Sequence, residues 1–492
     1  MSFKLPPSAK ASIESLRAFD YSFASALADL VDNSITAKAK NIRIDLEWDG
    51  PHSRLIIRDD GVGMHDTLVC GESPFQQAMK FGSRSPKEER DADDFGRFGL
   101  GLKTASIWAC RKVTVLSKVA GSPVASYCWD VDHVAREDEW YLLRGTGSKV
   151  NELDAELVSK TSGTTVLWEG MDTLLKGGAD GMDRTEDSVR KSLAEALEHL
   201  GMVFHRFLES RKVKIRCGCS HVLPWDPLGS QPEPEFVPVD KFSYHGEEIA
   251  IRCAVMPHPK RMSQEEQKRV GGANGLAGQQ GIYVYRRGRI IVAGGWMGLF
   301  KPADHFKLAR IAIDVPNSLD LAVGISVTKT NVALPDGISS RLSAAAEAIR
   351  SRAFEVYRYR GKRQLPTPNP SDPEFVWQKE AVTDTGIVRF VINKEHPLYS
   401  KVSKSCEDKK ALRLLIELME QTLPIAEISL VNSDKPDSIA GPFEGMTDEQ
   451  IADKFREAIE VFAKISGTQQ QARETLLGLY PYSHFHEILK KI

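Results

Sequence analysis

No run of apolar residues in the 492-residue chain approaches the ~20 needed to cross a bilayer as a helix, so no membrane span is expected. An excess of one charge is lacking too. The 65 Lys and Arg against 67 Asp and Glu leave a net charge of −2, which excludes a uniformly basic, nucleic-acid-coating surface but permits local basic patches. Cysteine is sparse, and its seven scattered copies fit a reducing cytoplasm better than a disulfide framework. The stretch Met1-Ser2-Phe3-Lys4-Leu5-Pro6-Pro7 lacks the hydrophobic centre of a secretory signal, so a cytoplasmic location is expected. Cys217-Gly218-Cys219-Ser220-His221 has the beginnings of a zinc site, but no second ligand pair follows at suitable spacing. A turn between two strands accounts for it more simply. Hydrophobic residues are ample at 41%, over a length that predicts two to four domains.

Two glycine-rich stretches stand out. Asp59-Asp60-Gly61-Val62-Gly63-Met64 follows Leu55-Ile56-Ile57-Arg58, an apolar run that reads as a buried strand. A carboxylate therefore lands at the strand end, where glycine supplies the sharp turn. Gly96-Arg97-Phe98-Gly99-Leu100-Gly101-Leu102-Lys103 then opens a segment, Leu100 to Ala109, with apolar residues at helical spacing. Glycines ahead of a helix leave its first N–H groups bare, and bare N–H groups bind phosphate. A carboxylate on a glycine turn for a base and a glycine-rich helix start for phosphates together point to a nucleotide site. Asp-x-Gly-x-Gly also occurs in ordinary turns, so the pair is the signal, not either half.

A third element lies upstream. Phe23, Leu27, Leu30, Val31 and Ile35 are spaced for an amphipathic helix over Ser22 to Lys38. Asp29 and Asn33 are four apart on it and share one face. An acid and an amide projecting together suit a hydrolytic water and a magnesium ion. A solvated polar face is the alternative.

In this order and spacing the three elements resemble the GHKL ATPase superfamily of gyrase B subunits, ninety-kilodalton heat-shock chaperones, histidine kinases, MutL and MORC proteins. The wording is nearest to the MORC and MutL side in Ala28-Asp29-Leu30-Val31-Asp32-Asn33-Ser34-Ile35 and in Phe98-Gly99-Leu100-Gly101-Leu102-Lys103-Thr104-Ala105-Ser106. The resemblance implies an α/β fold, with a GHKL (Bergerat) sandwich of mixed sheet and helices over residues 1–180. It implies ATP and Mg²⁺ as ligands. Asp59 would accept from the adenine amino group, with Gly61, Gly63 and Met64 shaping the base pocket. Asn33 would hold Mg²⁺, and Gly96, Gly99, Gly101, Leu102 and Lys103 would surround the phosphates. Gly163-Thr164 matches the Gly-Thr that relatives place beside the adenine-binding aspartate, where the Thr164 hydroxyl can bond that carboxylate and a water; a threonine in a core strand is the alternative. Asp29 stands where the family has a glutamate as general base. The carboxylate is one methylene shorter and must reach farther, which favours nucleotide binding over fast turnover. Thr36 stands where relatives commonly carry aspartate.

Residues His65 to Phe95, between the two motifs, hold Gly71, Gly82, Pro74, Pro86 and a charged run, and read as a mobile lid. A helix over Asp187 to Glu209 is expected to connect two domains across residues 181–209. A second α/β domain over 210–362 resembles the transducer (ribosomal-S5-like) domain of gyrase, MutL and MORC proteins. Tyr285-Arg286-Arg287-Gly288-Arg289 reads as its hairpin turn. Val327-Thr328-Lys329-Thr330-Asn331 falls in a loop where transducer domains send one lysine to the γ-phosphate, so Lys329 is the expected ATP sensor. A solvated loop lysine is the plainer reading.

A Pro-rich linker, residues 363–376, leads to a mixed, mostly helical region, 377–492, with no catalytic constellation. The basic helix end Arg350 to Arg363, interleaved with Phe354, Tyr357 and Tyr359, can grip nucleic acid or can simply complement a helix dipole. Neither the acidic cluster of a topoisomerase cleavage domain nor the metal motif of MutL-type nucleases is present, so DNA cutting is not expected. The expected function is an ATP-gated, dimerising switch that handles DNA or a partner protein, with anti-phage defence as one setting. The alternatives are a chaperone-like ATPase, for which the long charged linker is missing, and a nucleotide-binding scaffold that hydrolyses little or nothing. A histidine kinase is disfavoured, because no membrane span or helical phosphoacceptor region precedes the ATP site.

Overall fold

The computed structural model describes residues 7–69, 71–82, 101–175, 184–229, 234–319, 324–325, 332–358, 375–382, 387–425, 428, 442–443, 445–485 and 487–488. The chain divides into two compact units, Met1–Gly361 and Lys362–Ile492.

The first unit opens with helices α1 (Ala9–Arg17) and α2 (Phe23–Thr36). Ser22 starts α2 because its hydroxyl accepts from the Ser25 N–H while the Ser25 side chain returns a bond to the Ser22 backbone. Strands β1 (Asn41–Glu47) and β2 (Arg54–Asp59) then pair antiparallel, with Ile44 opposite Ile57. Helices α3 (Pro74–Met79) and α4 (Gly101–Ala109) follow, then β3 (Lys112–Lys118), β4 (Ala125–Asp130), helix α5 (Val131–Glu137) and β5 (Leu143–Arg144). Helix α6 (Ser148–Val158), β6 (Gly163–Glu169), and helices α7 (Asp172–Leu175) and α8 (Glu186–Val203) complete the layer.

One eight-stranded sheet has the order β5-β4-β3-β6-β2-β1-β7-β8, where β7 is Lys214–Cys217 and β8 is Ser220–His221. Its neighbours are antiparallel except β1 and β7. Residues alternate across a strand, so Leu55 and Ile57 of β2 join the main core under α1, α2, α4 and α8. Ile56 points the other way, to Leu116, Leu167 and the α6 residues Val150, Leu153 and Leu157. Helices thus cover both faces, in the α/β sandwich that the sequence suggests. Residues 214–221 fall in the segment expected to begin the second domain, yet they extend this sheet. Parallel pairing of Ile215 beside Ile42 places an apolar residue over the shared core. Cys217 to His221 is the hairpin between them, turning at Gly218 with φ +56°.

The expected helix from Asp187 to Glu209 is two, α8 and α9 (His205–Glu209), broken at Phe204, whose side chain is fully buried. Beyond it lies a five-stranded sheet, β12-β11-β13-β10-β9, formed by β9 (Glu235–Tyr244), β10 (Glu247–Val255), β11 (Gly281–Arg286), β12 (Arg289–Ala293) and β13 (Ala309–Val315). The helix Asp336–Arg358 packs on it through Ile338, Leu342, Ala346, Ile349 and Ala353, an apolar stripe at three- and four-residue spacing. The β11–β12 connection has Arg287 at φ 55° and Gly288 at φ 80°, the two left-handed residues of a tight hairpin whose twist suits its strands.

The second unit contains an antiparallel hairpin, Trp377–Val382 with Ile387–Ile392, and helices Pro397–Ser405, Lys409–Gln421, Asp448–Ser466 and Gln469–Leu477. Ile451, Phe455, Ile459 and Phe462 form its own small core with Ala472 and Leu476.

Trp168 on β6 is fully buried in the main core and donates its indole N–H to Ser106 Oγ at 2.9 Å. Trp168→Ala should therefore cost ~3–5 kcal/mol in urea unfolding of the first unit. A loss below about 1 kcal/mol would contradict this packing.

Candidate functional site

Asp59 ends β2 beneath the last turns of α2, and three groups hold its carboxylate. Ser34 Oγ donates to Oδ2 at 3.0 Å, and the Gly61 N–H donates to Oδ1 at 2.9 Å. The Thr164 backbone N–H adds a third bond, because the β2–β6 register sets Thr164 opposite Asp59. Burial pushes the Asp59 carboxyl above the usual range, against the pull of these donors. A strongly desolvated carboxylate, held from one side, is a recognition group for a donor such as an exocyclic amine. Asp60 plays another part: Oδ1 accepts from the Lys40 and Asn41 N–H groups at 2.7 and 2.8 Å, and Oδ2 accepts from the Asn41 amide at 2.7 Å. It ties the turn to β1.

The turn itself demands its glycines. Gly63 has φ +74°, and a Cβ there would lie 2.0 Å from the Lys118 carbonyl oxygen. A Cβ on Gly61 would lie 2.8 Å from the Ala37 carbonyl oxygen. Met64 follows, its N–H bonded to Ser117 Oγ at 2.9 Å. Ser117 Oγ also pairs with Thr164 Oγ1 at 3.2 Å, so the threonine hydroxyl is engaged by Ser117, and its backbone N–H is what supports Asp59.

One helix turn before Asn33 and Ser34, Asp29 is buried at 4% exposure, which rules out a solvated face. From Ala26 to Asp32 the helix is buried all round, enclosed by α4, α8 and the sheet, so α2 is a core helix rather than an amphipathic surface one. Tyr21 donates its hydroxyl to Asp29 Oδ2 at 3.0 Å and lies 3.1 Å from Thr104 Oγ1 on α4. Burial, with the Asp29 carboxylate beside it, raises the Tyr21 hydroxyl well above its ordinary range and keeps it protonated. A Cβ added to Gly101 would lie 3.4 Å from Asp29 Oδ2, so the acid stands beside the first residue of α4. The structure thus brings the acid of one motif to the helix start of the other. Asn33 is exposed; its amide nitrogen donates to the Asp29 carbonyl at 2.8 Å, which leaves its side-chain oxygen as an acceptor. That hard oxygen suits Mg²⁺.

Arg289, at the start of β12, reaches this place from the other sheet. Its Nε lies 2.9 Å from Asp32 Oδ1, and its Nη2 lies 3.8 Å from Asp29 Oδ1, with all three side chains buried.

Lys103 departs from expectation. Its backbone belongs to the α4 start, beside Gly101 and Leu102, but its buried ammonium donates to the Ala78 and Lys80 carbonyls, both at 2.9 Å. A cation at the C-terminal end of α3 completes carbonyls that the helix leaves open. The ammonium therefore ties the start of α4 to the end of α3. Gly96, Gly99 and Lys329 lie outside the described residues.

Tyr21, Ser34, Ser117 and Arg289 were not signalled by the sequence. Ser34 lies next to Asn33 in a recognisable motif and Arg289 in the expected hairpin turn, but the partners that Ser34, Ser117 and Arg289 meet are far along the chain.

Residues 21–164 match the family described as "Histidine kinase-, DNA gyrase B-, and HSP90-like ATPase". No curated protein matches the chain. The matched span runs from Tyr21 through the turn and α4 to Thr164, and contains neither Arg289 nor Lys329.

Burial lowers the Lys103 pKa to about 8. The folded chain then releases this proton at lower pH than the unfolded chain does, so stability rises with pH between about 8 and the ordinary lysine value of 10.5. Lys103→Met should flatten that rise in urea unfolding and speed amide exchange over residues 72–82. An unchanged pH profile would contradict the burial of this charge.

Proposed function

We propose, from the premise that residues 21–164 are a GHKL-type ATPase domain, that the chain binds Mg-ATP and hydrolyses it slowly. The observation that supports this most is the half-buried Asp59 carboxylate, held by Ser34 Oγ and the Gly61 N–H and flanked by the Gly61–Met64 turn. It would accept from the adenine amino group. Bare N–H groups at Gly101, Leu102 and Lys103 would receive phosphate oxygens, with the α4 dipole favouring negative charge there.

Asn33 would hold Mg²⁺ through its side-chain oxygen. Magnesium, when bound, neutralises phosphate charge. Asp29 is the proposed general base: it is beside the α4 start, and its orientation is fixed by the Tyr21 hydroxyl. Lys329 is proposed to reach the γ-phosphate from the second sheet's domain. Domain boundaries at 180, 362 and 376 complete this reading, with closure over ATP favouring a homodimer that handles DNA or a partner protein, anti-phage defence being one setting.

A second reading, a nucleotide-binding scaffold without turnover, draws on a specific feature: both oxygens of Asp29 are engaged or approached, Oδ2 by Tyr21 and Oδ1 by Arg289.

Phosphate release and nucleotide affinity separate the roles. Asp29→Asn should abolish release, by about a hundredfold or more, and retain ATP binding. Asn33→Ala should weaken binding of Mg-ATP itself. Equal loss of binding in both variants would defeat this division. Sedimentation with a non-hydrolysable ATP analogue and Mg²⁺ should show a dimer that is absent with ADP; a monomer throughout would remove the clamp. Wild-type binding without phosphate release would leave the scaffold.

A further inference from the structure

Arg289 belongs to the five-stranded sheet, yet its guanidinium sits in the core of the other layer. The β11–β12 hairpin carries it there: a Cβ added at Gly288, with φ +80°, would lie 3.6 Å from the Phe207 ring, and Arg286 pairs with Arg289 across the turn. Phe204 lies under the guanidinium at 5.7 Å. His199 of α8 is its neighbour, and burial, then the Arg289 charge, drives that histidine down to about 4, so it is neutral. Facing Arg289 from α2 are Asp32 and Asp29, one turn apart, and Asp29 in turn meets Tyr21 and the start of α4. The Arg289 Nε to Asp32 Oδ1 approach is a charge contact, not an aligned hydrogen bond.

We propose that Arg289 is a positioning residue for Asp29, forking between Asp32 and Asp29 and so linking the second sheet's hairpin to the acid on α2. This rests on the ATPase reading. A guanidinium is suited to the task because it stays charged when buried and presents donors in a fixed fork, whereas a lysine ammonium is a point charge that meets one carboxylate well. Asp32 lies on the Nε side at 2.9 Å and Asp29 on the Nη2 side at 3.8 Å, so the guanidinium stands between the two carboxylates and its charge acts on both. Any rotation of the hairpin against α2 changes the Asp29 approach. The first sheet's acid is thereby sensitive to the second sheet's position, without Arg289 touching the nucleotide.

The test measures phosphate release and Mg-ATP affinity for wild type, Arg289→Gln, Arg289→Lys, Asp29→Asn and the Arg289→Gln/Asp29→Asn double variant. Arg289→Gln should lower kcat by about tenfold to a hundredfold with ATP affinity within about twofold of wild type. Arg289→Lys, which keeps the charge and guards against simple misfolding, should recover only part of that loss. In the Asp29→Asn background Arg289→Gln should cost nothing further, because residues acting as a unit are not additive. Losses that multiply in the double variant, or affinity that falls with kcat, would overturn the proposal.

Amide exchange of residues 281–293 with a non-hydrolysable analogue supplies a readout free of turnover. Slowed exchange in wild type and none in Arg289→Gln supports the link, and identical responses overturn it. Wild type that binds ATP but releases no phosphate sinks the ATPase reading alone, and the exchange experiment still decides the link. Wild type that binds no nucleotide removes both.

Discussion

Two carboxylates in the middle of a buried helix constrain everything around them. Asp29 and Asp32 are 4% and 3% exposed, and a charge so placed needs a partner at hand. Arg289 supplies it from another sheet, and Tyr21 supplies a hydroxyl from the turn before α2. Removal of one member of such a buried set typically costs ~3–5 kcal/mol, because the charge left behind is uncompensated. The two layers of the first unit are therefore joined by electrostatics as well as by the shared apolar core. Packing alone would tolerate small slips between layers; a guanidinium set between two carboxylates restricts them.

The same helix serves the other end of the site. Directly after Asp32, Asn33 is exposed and Ser34 is buried against Asp59, so successive residues of α2 divide between solvent and the β2 turn. Asp59 is held by side chain and backbone from α2, its own turn and β6. Two of these supports, α2 and β6, are regular elements. Gly63 and Gly61 let the chain leave the strand without moving the carboxylate, because any Cβ at either position meets backbone at under 3 Å. Helix, strand, glycine turn and second helix all fall within residues 21–164, the stretch that matches an ATPase family.

Much of this was legible in the sequence because it is local. The apolar run before Asp59, the glycines after it, and the four-residue spacing of Asp29 and Asn33 fix a strand end, a turn and a helix register without reference to distant residues. The Tyr285 to Arg289 hairpin was legible for the same reason. What was hidden depends on tertiary contacts. Ser34 is 25 residues from Asp59, and Ser117 and Thr164 are 47 apart; the sheet register brings each pair together. The burial of Asp29 follows from α4 and α8 closing on α2, which periodicity on α2 alone understates. Lys103 shows the converse: its place in a phosphate motif says where its backbone lies, but the carbonyls at the end of α3 decide where its ammonium goes. The edge strands at 214–221 escaped because short strands pair by position on a sheet, not by pattern.

A nucleotide competition experiment tests the central claim most directly. The Asp59 carboxylate can accept from the amino group of adenine, but it faces an acceptor, the carbonyl oxygen, at the same position of guanine. A site built around one hydrogen-bonding group rejects its mismatch strongly. Equilibrium binding to the wild-type chain with Mg²⁺ should therefore favour ATP over GTP by about a hundredfold or more. Equal affinity for the two, or no binding of either, would contradict the assignment of Asp59 and the nucleotide site built on it.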